Sequence, residues 1–294
     1  MTISVRPIQQ GFVAEISGVD LRQDMDAVAI RTIGAALDQY GVVVLHDQSI
    51  TDEQQIAFSA KLGPLETTIH KIRPGASLRL DPHIADVSNL DEKAQVLAAN
   101  DRRRMNGLGN RLWHTDSSFK ATPAKYSLLS ARSIPGTGGE TQFADLRAAY
   151  DALPADKKQS LQNLVAEHCI VWSRATIGFT DYSQAERDAL PPVPQRIVRF
   201  HPGSKRKTLY LASHAQAIRG MPTPEARVLL MDLMEHATQR EFVYTHVWRL
   251  GDLVIWDNRC TMHRARPYDL SVPRDMHRTT VADIAPTLEQ VMVA

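Results

Sequence analysis

"GDLVIWDNRCTMHRARPYD", residues 251–269, is the stretch that decides the fold. Gly251-Asp252 turns the chain into Leu253–Trp256, an apolar run of strand length. Asp257-Asn258 breaks that run, and Cys260–His263 leads into a second strand-like piece carrying Arg264 and Arg266. Similar short runs lie on either side: "AKYSLLSARSI" (124–134), "RIVRFHP" (196–202) and "TLYLAS" (208–213) around a turn at Gly203, "FVYTHVW" (242–248) and "HRTTVADI" (277–284). Nearer the start, "FVAEISGVDL" alternates like a strand entering a turn, and "VVVLHD" reads as a buried strand. Many short strands at regular intervals, with helices inserted, predict an antiparallel sandwich or jelly roll.

Helical spacing predicts a helix over 26–40, with Ile30, Ile33, Ala36 and Leu37 inward and Gly41 as its stop. Thr51-Asp-Glu-Gln54 has capping-box spacing, and Gly63-Pro64 closes that helix. Residues 144–165 divide at Pro154, the second helix expected over Ala155–Val165. A helix over 223–239 is expected to present Val228, Leu229, Met231, Leu233 and Met234 as apolar residues. Pro191-Pro192-Val193-Pro194 marks a surface crossing. Residues 66–110 give few periodic signals and read as a long functional loop of one domain spanning 1–294.

Composition narrows the function. Lys+Arg total 34 against Asp+Glu 33, so no nucleic-acid groove is expected, and Arg102-Arg103-Arg104 reads as a solvated loop. Two cysteines, Cys169 and Cys260, argue against a disulfide scaffold and fit a reducing cytoplasm. No signal-peptide h-region opens the chain, and no apolar run is long enough to span a bilayer, so no membrane partner is expected.

"LWHTDSSF", residues 112–119, carries the chemistry. On a strand, side chains alternate with period two, so His114 and Asp116 would share a face. His-x-Asp alone is a weak signal. With 11 histidines about one such pair arises by composition. A third ligand is sought at His263, in the stretch that opened this section. Two histidines and a carboxylate leave octahedral positions open, the geometry of non-haem Fe(II) oxygenases. A zinc hydrolase is the competitor. Arg274 and Arg278 then alternate onto one face, where buried guanidinium groups would call for acidic ligands.

These motifs, with "GTGGETQFADLRAAYDALP" (136–154), "EHATQREFVY" (235–244), "PRDMHRTT" (273–280), "DYSQAERDALPPV" (181–193) and "DEQQIAF" (52–58), resemble the taurine dioxygenase/2,4-dichlorophenoxyacetate dioxygenase (TauD/TfdA) family over nearly the whole chain, and its phenoxyacetate branch in particular. The resemblance implies a mainly β protein, a double-stranded β-helix (jelly roll) core with flanking α-helices. It assigns His114, Asp116 and His263 to Fe(II), and Arg274, eleven residues after His263, with Thr141 to the distal carboxylate of 2-oxoglutarate. It assigns Arg278 to the substrate acid and brings Ser117, His214, His201 and Lys71 near the substrate. The branch carries a lysine near position 95, where this chain has Gln95, with Lys93 close by. The implied reaction uses O2 and 2-oxoglutarate and releases succinate and CO2. It hydroxylates the carbon between the ether oxygen and carboxylate of an aryloxyacetate, and the product collapses to a phenol and glyoxylate. An alkylsulfonate such as taurine, or another small organic acid, is the alternative substrate. Relatives of this kind are commonly oligomers, so the resemblance also implies a homo-oligomer.

Overall fold

The strand Val42–Leu45 is apolar and buried at every position, and a strand of that kind needs cover on both faces. The computed structural model supplies it; it describes residues 3–9, 11–69 and 78–291. In chain order the strands are β1 (Ser4–Gln9), β2 (Val13–Ser17), β3 (Val42–Leu45), β4 (Ile84–Asp86), β5 (Ala124–Ser133), β6 (Thr141–Asp145), β7 (Val165–His168), β8 (Val193–Arg196), β9 (Val198–His201), β10 (Arg206–Leu209), β11 (Ala215–Ile218), β12 (Val243–His246), β13 (Leu253–Asp257), β14 (Thr261–Ala265) and β15 (Asp275–Ala282). The helices are α1 (Ala27–Tyr40), α2 (Asp52–Ala60), α3 (Arg102–Gly107), α4 (Leu146–Ala152), α5 (Ala155–Leu161), α6 (Ile170–Ala175), α7 (Gln184–Ala189) and α8 (Thr223–Ala237).

A seven-stranded sheet runs β1-β2-β3-β13-β5-β15-β4, and a three-stranded sheet runs β12-β6-β14. The sheets meet face to face through Phe143 of β6 and Trp256 of β13, whose rings lie 5.4 Å apart, with Val254, Leu129 and Met276 around them. The far face of the large sheet is covered by Ile33, Leu37 and Phe58 from α1 and α2. Two facing sheets of mostly antiparallel strands with helices outside are the expected jelly roll. Burial of α1 falls on Ala29, Ile33, Ala36, Leu37 and Tyr40, and Gly41 ends it at φ 81°. The Thr51 capping box is present in full.

Several local expectations need correction. The second helix after Pro154 stops at Leu161, because Val165 enters β7 and pairs with Arg196. The Pro191–Pro194 stretch is not only a crossing: Val193 starts β8, and Pro194 sits opposite Glu167 on a strand at the edge of its sheet, where a missing N–H costs no ladder bond. On α8 the buried residues are Ala226, Leu230, Leu233 and Ala237, while Val228 and Met231 are 58% and 63% exposed. Leu233 is buried as expected and Leu229 and Met234 pack partly buried against the core, so the expectation fails at Val228 and Met231 alone, while Ala226, Leu230 and Ala237 complete the buried face. Within 66–110 the described residues are more ordered than their composition suggested: β4 pairs with β15, and α3 is capped by Asp101. The arginine run is no solvated loop. Arg102 pairs with Asp181 and Glu186, Arg103 with Glu92, and Arg104 donates to Leu97 O. Among the described residues no helix is long and apolar enough to cross a membrane.

Candidate active site

His114 is not part of a strand. It forms a single antiparallel bridge with His263, N–H to O in both directions at 3.0 and 2.8 Å. The chain then turns, with Ser117 at φ 52°, so Asp116 reaches the site from a turn rather than along a strand. The expected strand is thus corrected, though the convergence holds. The ligating atoms of His114, Asp116 and His263 all lie within 4.8 Å of one another. His114 Nε2 is 3.8 Å from Asp116 Oδ1, and His263 Nε2 is 3.7 Å from Asp116 Oδ2. The bridge sets the two imidazoles opposite each other, 4.2 Å between ring centres, as pairing across a sheet dictates.

The protonation states suit a cation. His114 Nδ1 meets the Leu112 carbonyl at 2.8 Å. A carbonyl only accepts, so that nitrogen carries the proton and Nε2 presents a lone pair. Burial pushes His114 down to about 4, against the pull of Asp116, and pushes His263 well below its ordinary value. Burial works to raise Asp116, but Arg278 and the two histidines outweigh it and hold the carboxyl at about 2. Two neutral imidazoles and one carboxylate, all buried, fit a divalent metal.

Neighbours fix the carboxylate. Ser127 Oγ donates to Asp116 Oδ2 at 2.7 Å, Asn258 Oδ1 accepts from the Asp116 N–H at 3.1 Å, and Asn258 Nδ2 donates to Ser127 Oγ at 2.9 Å. The Arg278 guanidinium donates to Asp116 Oδ1 at 2.5 Å. From sequence, Asn258 reads only as a strand breaker, and nothing sets Ser127 apart within the run 124–134. No spacing signal marks either, since their partners lie 142 and 11 residues away.

A cavity of about 600 Å³ opens from this cluster, lined by Thr141, Ser117, His214, Arg274 and Arg278 among others. Among the described residues its wall carries more guanidinium and ammonium groups than carboxylates. Arg274 is 4% exposed and donates only to the Val87 and Gly139 carbonyls, at 3.3 and 3.4 Å. Burial depresses its basicity, and only Tyr268 opposes this. No carboxylate among the described residues pairs with it. A buried cation of that kind is costly unless an anion meets it. Gly139, at φ 76°, lets the backbone pass the guanidinium: an added Cβ would sit 3.3 Å from Arg274 Nε. Beside it, Trp248 Nε1 donates to Thr141 Oγ1 at 3.0 Å. An indole N–H is donor only, so the Thr141 hydroxyl proton stays available. Arg274 and Arg278 do share the cavity face. The irregularity near the start of β15 places its extra residue on β5, between Ala131 and Ser133, and leaves β15 in alternation.

The remaining candidates separate. Ser117 lines the cavity and donates to Glu66 at 2.6 Å. His214 also lines it, with Nδ1 held by Ser173 Oγ at 2.8 Å. His201 does not line it, and a substrate contact there is corrected. Its Nδ1 accepts from Ser204 N, so Nε2 carries the proton that goes to Asp257 at 2.9 Å. That histidine caps the β9–β10 hairpin. With Asp257 and Cys260 it forms a second buried group of potential ligands, but Arg259 already neutralises Asp257 at 2.6 Å. Lys71 lies outside the described residues, and neither Lys93 nor Gln95 lines the cavity.

The family model described as taurine catabolism dioxygenase TauD, TfdA family matches residues 4–280. The chain belongs to this dioxygenase family. The dioxygenase is 44% identical to the alpha-ketoglutarate-dependent 2,4-dichlorophenoxyacetate dioxygenase of Cupriavidus pinatubonensis, covering 97% of this chain and 99% of that one. It is 37% identical to the (S)-phenoxypropionate/alpha-ketoglutarate-dioxygenase of Sphingobium herbicidovorans, covering 95% and 94%. Its fold superposes on the crystal structure of AAD-2 in complex with Mn(II) and N-oxalylglycine with a TM-score of 0.90, at 51% identity over 99% of this chain and 100% of that one.

Proposed function

We propose that this dioxygenase uses Fe(II), 2-oxoglutarate and O2 to hydroxylate the carbon between ether oxygen and carboxylate of an aryloxyacetate such as 2,4-dichlorophenoxyacetate, giving a phenol and glyoxylate with succinate and CO2. The observation that carries it is the buried, acid-free guanidinium of Arg274 in the same cavity as His114, Asp116 and His263. A cation there calls for a small diacid beside the metal, and the relatives named above are alpha-ketoglutarate-dependent and act on phenoxy acids.

Each residue then has a task. His114, Asp116 and His263 hold the metal, and Ser127 and Asn258 keep Asp116 oriented. Iron(II) with 2-oxoglutarate supplies the oxidising power drawn from O2. Arg274 and the free Thr141 proton bind the distal carboxylate of 2-oxoglutarate. Arg278 carries its charge to Asp116 and steers the substrate acid to that end of the cavity, an orientation effect on the carbon to be attacked. Ser117 and His214 shape the substrate wall. The described parts of the 66–110 segment cover the substrate: residues 66–69 and 85–90 line the cavity, and Arg79 ties to Asp275 at 2.5 Å. Two free buried cysteines support a reducing cytoplasm, and the exposed Val228, Met231, Val247 and Leu250 support assembly as a homo-oligomer.

Oxygen uptake tests the reading. Uptake with 2,4-dichlorophenoxyacetate, dependent on Fe(II) and 2-oxoglutarate and yielding 2,4-dichlorophenol, is expected. Uptake with taurine alone would move the substrate to the alkylsulfonates. Hydrolytic activity on zinc without 2-oxoglutarate would overturn the oxygenase reading.

A further inference from the structure

Arg174 stands in the cavity wall without a task. It lies on α6, is 5% exposed, and has no carboxylate within ion-pair reach among the described residues. Its Nε donates to Asn106 Oδ1 at 3.1 Å and one terminal nitrogen to Asn110 Oδ1 at 3.0 Å; the other terminal nitrogen has no partner among the described residues. The backbone of Gly109 lies flat against the group: an added Cβ would sit 2.3 Å from the guanidinium carbon. The chain thus holds this cation in place with neutral amides. A carboxylate at either asparagine would have been the ordinary way to cover a buried arginine.

Its charge is felt in the site. It shares the cavity wall with His114, Asp116, His214 and Arg278; its chain neighbour Ser173 holds His214 Nδ1 at 2.8 Å, and the His214 ring centre lies 6.0 Å from that of His114. An unneutralised charge buried among these groups raises the potential throughout that end of the cavity. Arg278 by contrast has Asp116 as a direct partner at 2.5 Å, so part of its charge is already answered.

We infer that Arg174 is a specificity residue that selects anionic over neutral substrates by its buried charge, and that Asn106 and Asn110 are amides because acids there would cancel it. The inference rests on the aryloxyacetate reading above. It adds a second cation to Arg278, one that acts through the field, since its unpartnered nitrogen is itself closed off from solvent.

The test compares one acid with its uncharged isostere. Binding of 2,4-dichlorophenoxyacetate and of 2,4-dichlorophenoxyacetamide is measured by anaerobic equilibrium dialysis on the enzyme loaded with Fe(II) and 2-oxoglutarate. Wild type should bind the acid at least about tenfold tighter than the amide. Arg174→Lys keeps the charge and should keep most of that ratio. Arg174→Gln should reduce it about tenfold, chiefly by weakening the acid. Asn110→Asp retains an acceptor for the guanidinium and should reduce the ratio similarly; it decides the matter if Arg174→Gln does not fold. A wild-type ratio near one, or Asn110→Asp with an unchanged ratio, overturns the inference while leaving the substrate reading intact. Failure of wild type to bind either compound overturns the aryloxyacetate reading and this inference with it.

Discussion

At the scale of single residues, the metal cluster depends on ordinary groups placed by hydrogen bonds. Asp116→Ala should abolish binding of Mn(II) as followed by its paramagnetic resonance signal. Ser127→Ala removes only the hydroxyl that donates to Asp116 Oδ2 and should weaken Mn(II) about tenfold, the usual effect of an outer partner. Equal affinity in Ser127→Ala and wild type would show that Arg278 holds the carboxylate without the serine. Arg274→Met should raise the dissociation constant for 2-oxoglutarate on the order of a hundredfold, because it deletes the buried partner of a carboxylate. Titration calorimetry of the anaerobic Fe(II) enzyme reads this directly. An unchanged constant would move the diacid elsewhere in the cavity.

At the scale of elements, stability and chemistry separate. The capping box of α2 joins Thr51 Oγ1 to Gln54 N and Gln54 Oε1 to Thr51 N, at 3.2 and 2.9 Å on an exposed turn. Thr51→Ala should cost about 1 kcal/mol in urea unfolding and leave turnover unchanged. A cost near zero would mean that packing of Phe58 fixes this helix without its cap. Further along, α3 and the 3-10 turn Leu108–Arg111 are held to α6 by Arg174 and to the 181–186 stretch by Arg102. The same stretch that looked like a solvated basic run is therefore a wall of the cavity.

At the scale of the whole molecule, the site's burial is written into the pH dependence of folding. Burial pushes His168 to about 3 and His114 to about 4. The unfolded chain takes up protons at these positions from pH 6.5 downward, and the folded chain does not until pH 3–4. Stability is therefore lost as pH falls through that window, by about 2 kcal/mol per histidine at pH 5. His277 runs the other way: against burial, Asp275 and Asp52 raise it, so its contribution is present below 6.5 and fades as pH rises through its raised value. Asp116 and Asp275, each held at about 2, lose their contribution only below about pH 3.8. The buried neutral histidines outweigh His277. The metal-free protein should melt at a lower temperature at pH 5 than at pH 7, and a higher one would mean these histidines are hydrated and titrate normally.

Sequence by itself determined the β-rich jelly roll, α1 with its Gly41 stop, the Thr51 capping box of α2 (though that helix ends at Ala60, before Gly63-Pro64), and the identities of the groups that meet: His114, Asp116, His263, Thr141, Arg274 and Arg278. Alternation and capping are local physics, and the motif order carries the rest. Tertiary structure alone decided that Asp116 arrives from a turn, that His201 faces Asp257 rather than the cavity, and that Ser127, Asn258 and Arg174 belong to the site. Each of those facts is a pairing between distant segments. The free energy of covering a buried charge depends on which atoms end up beside it, and no local pattern records that.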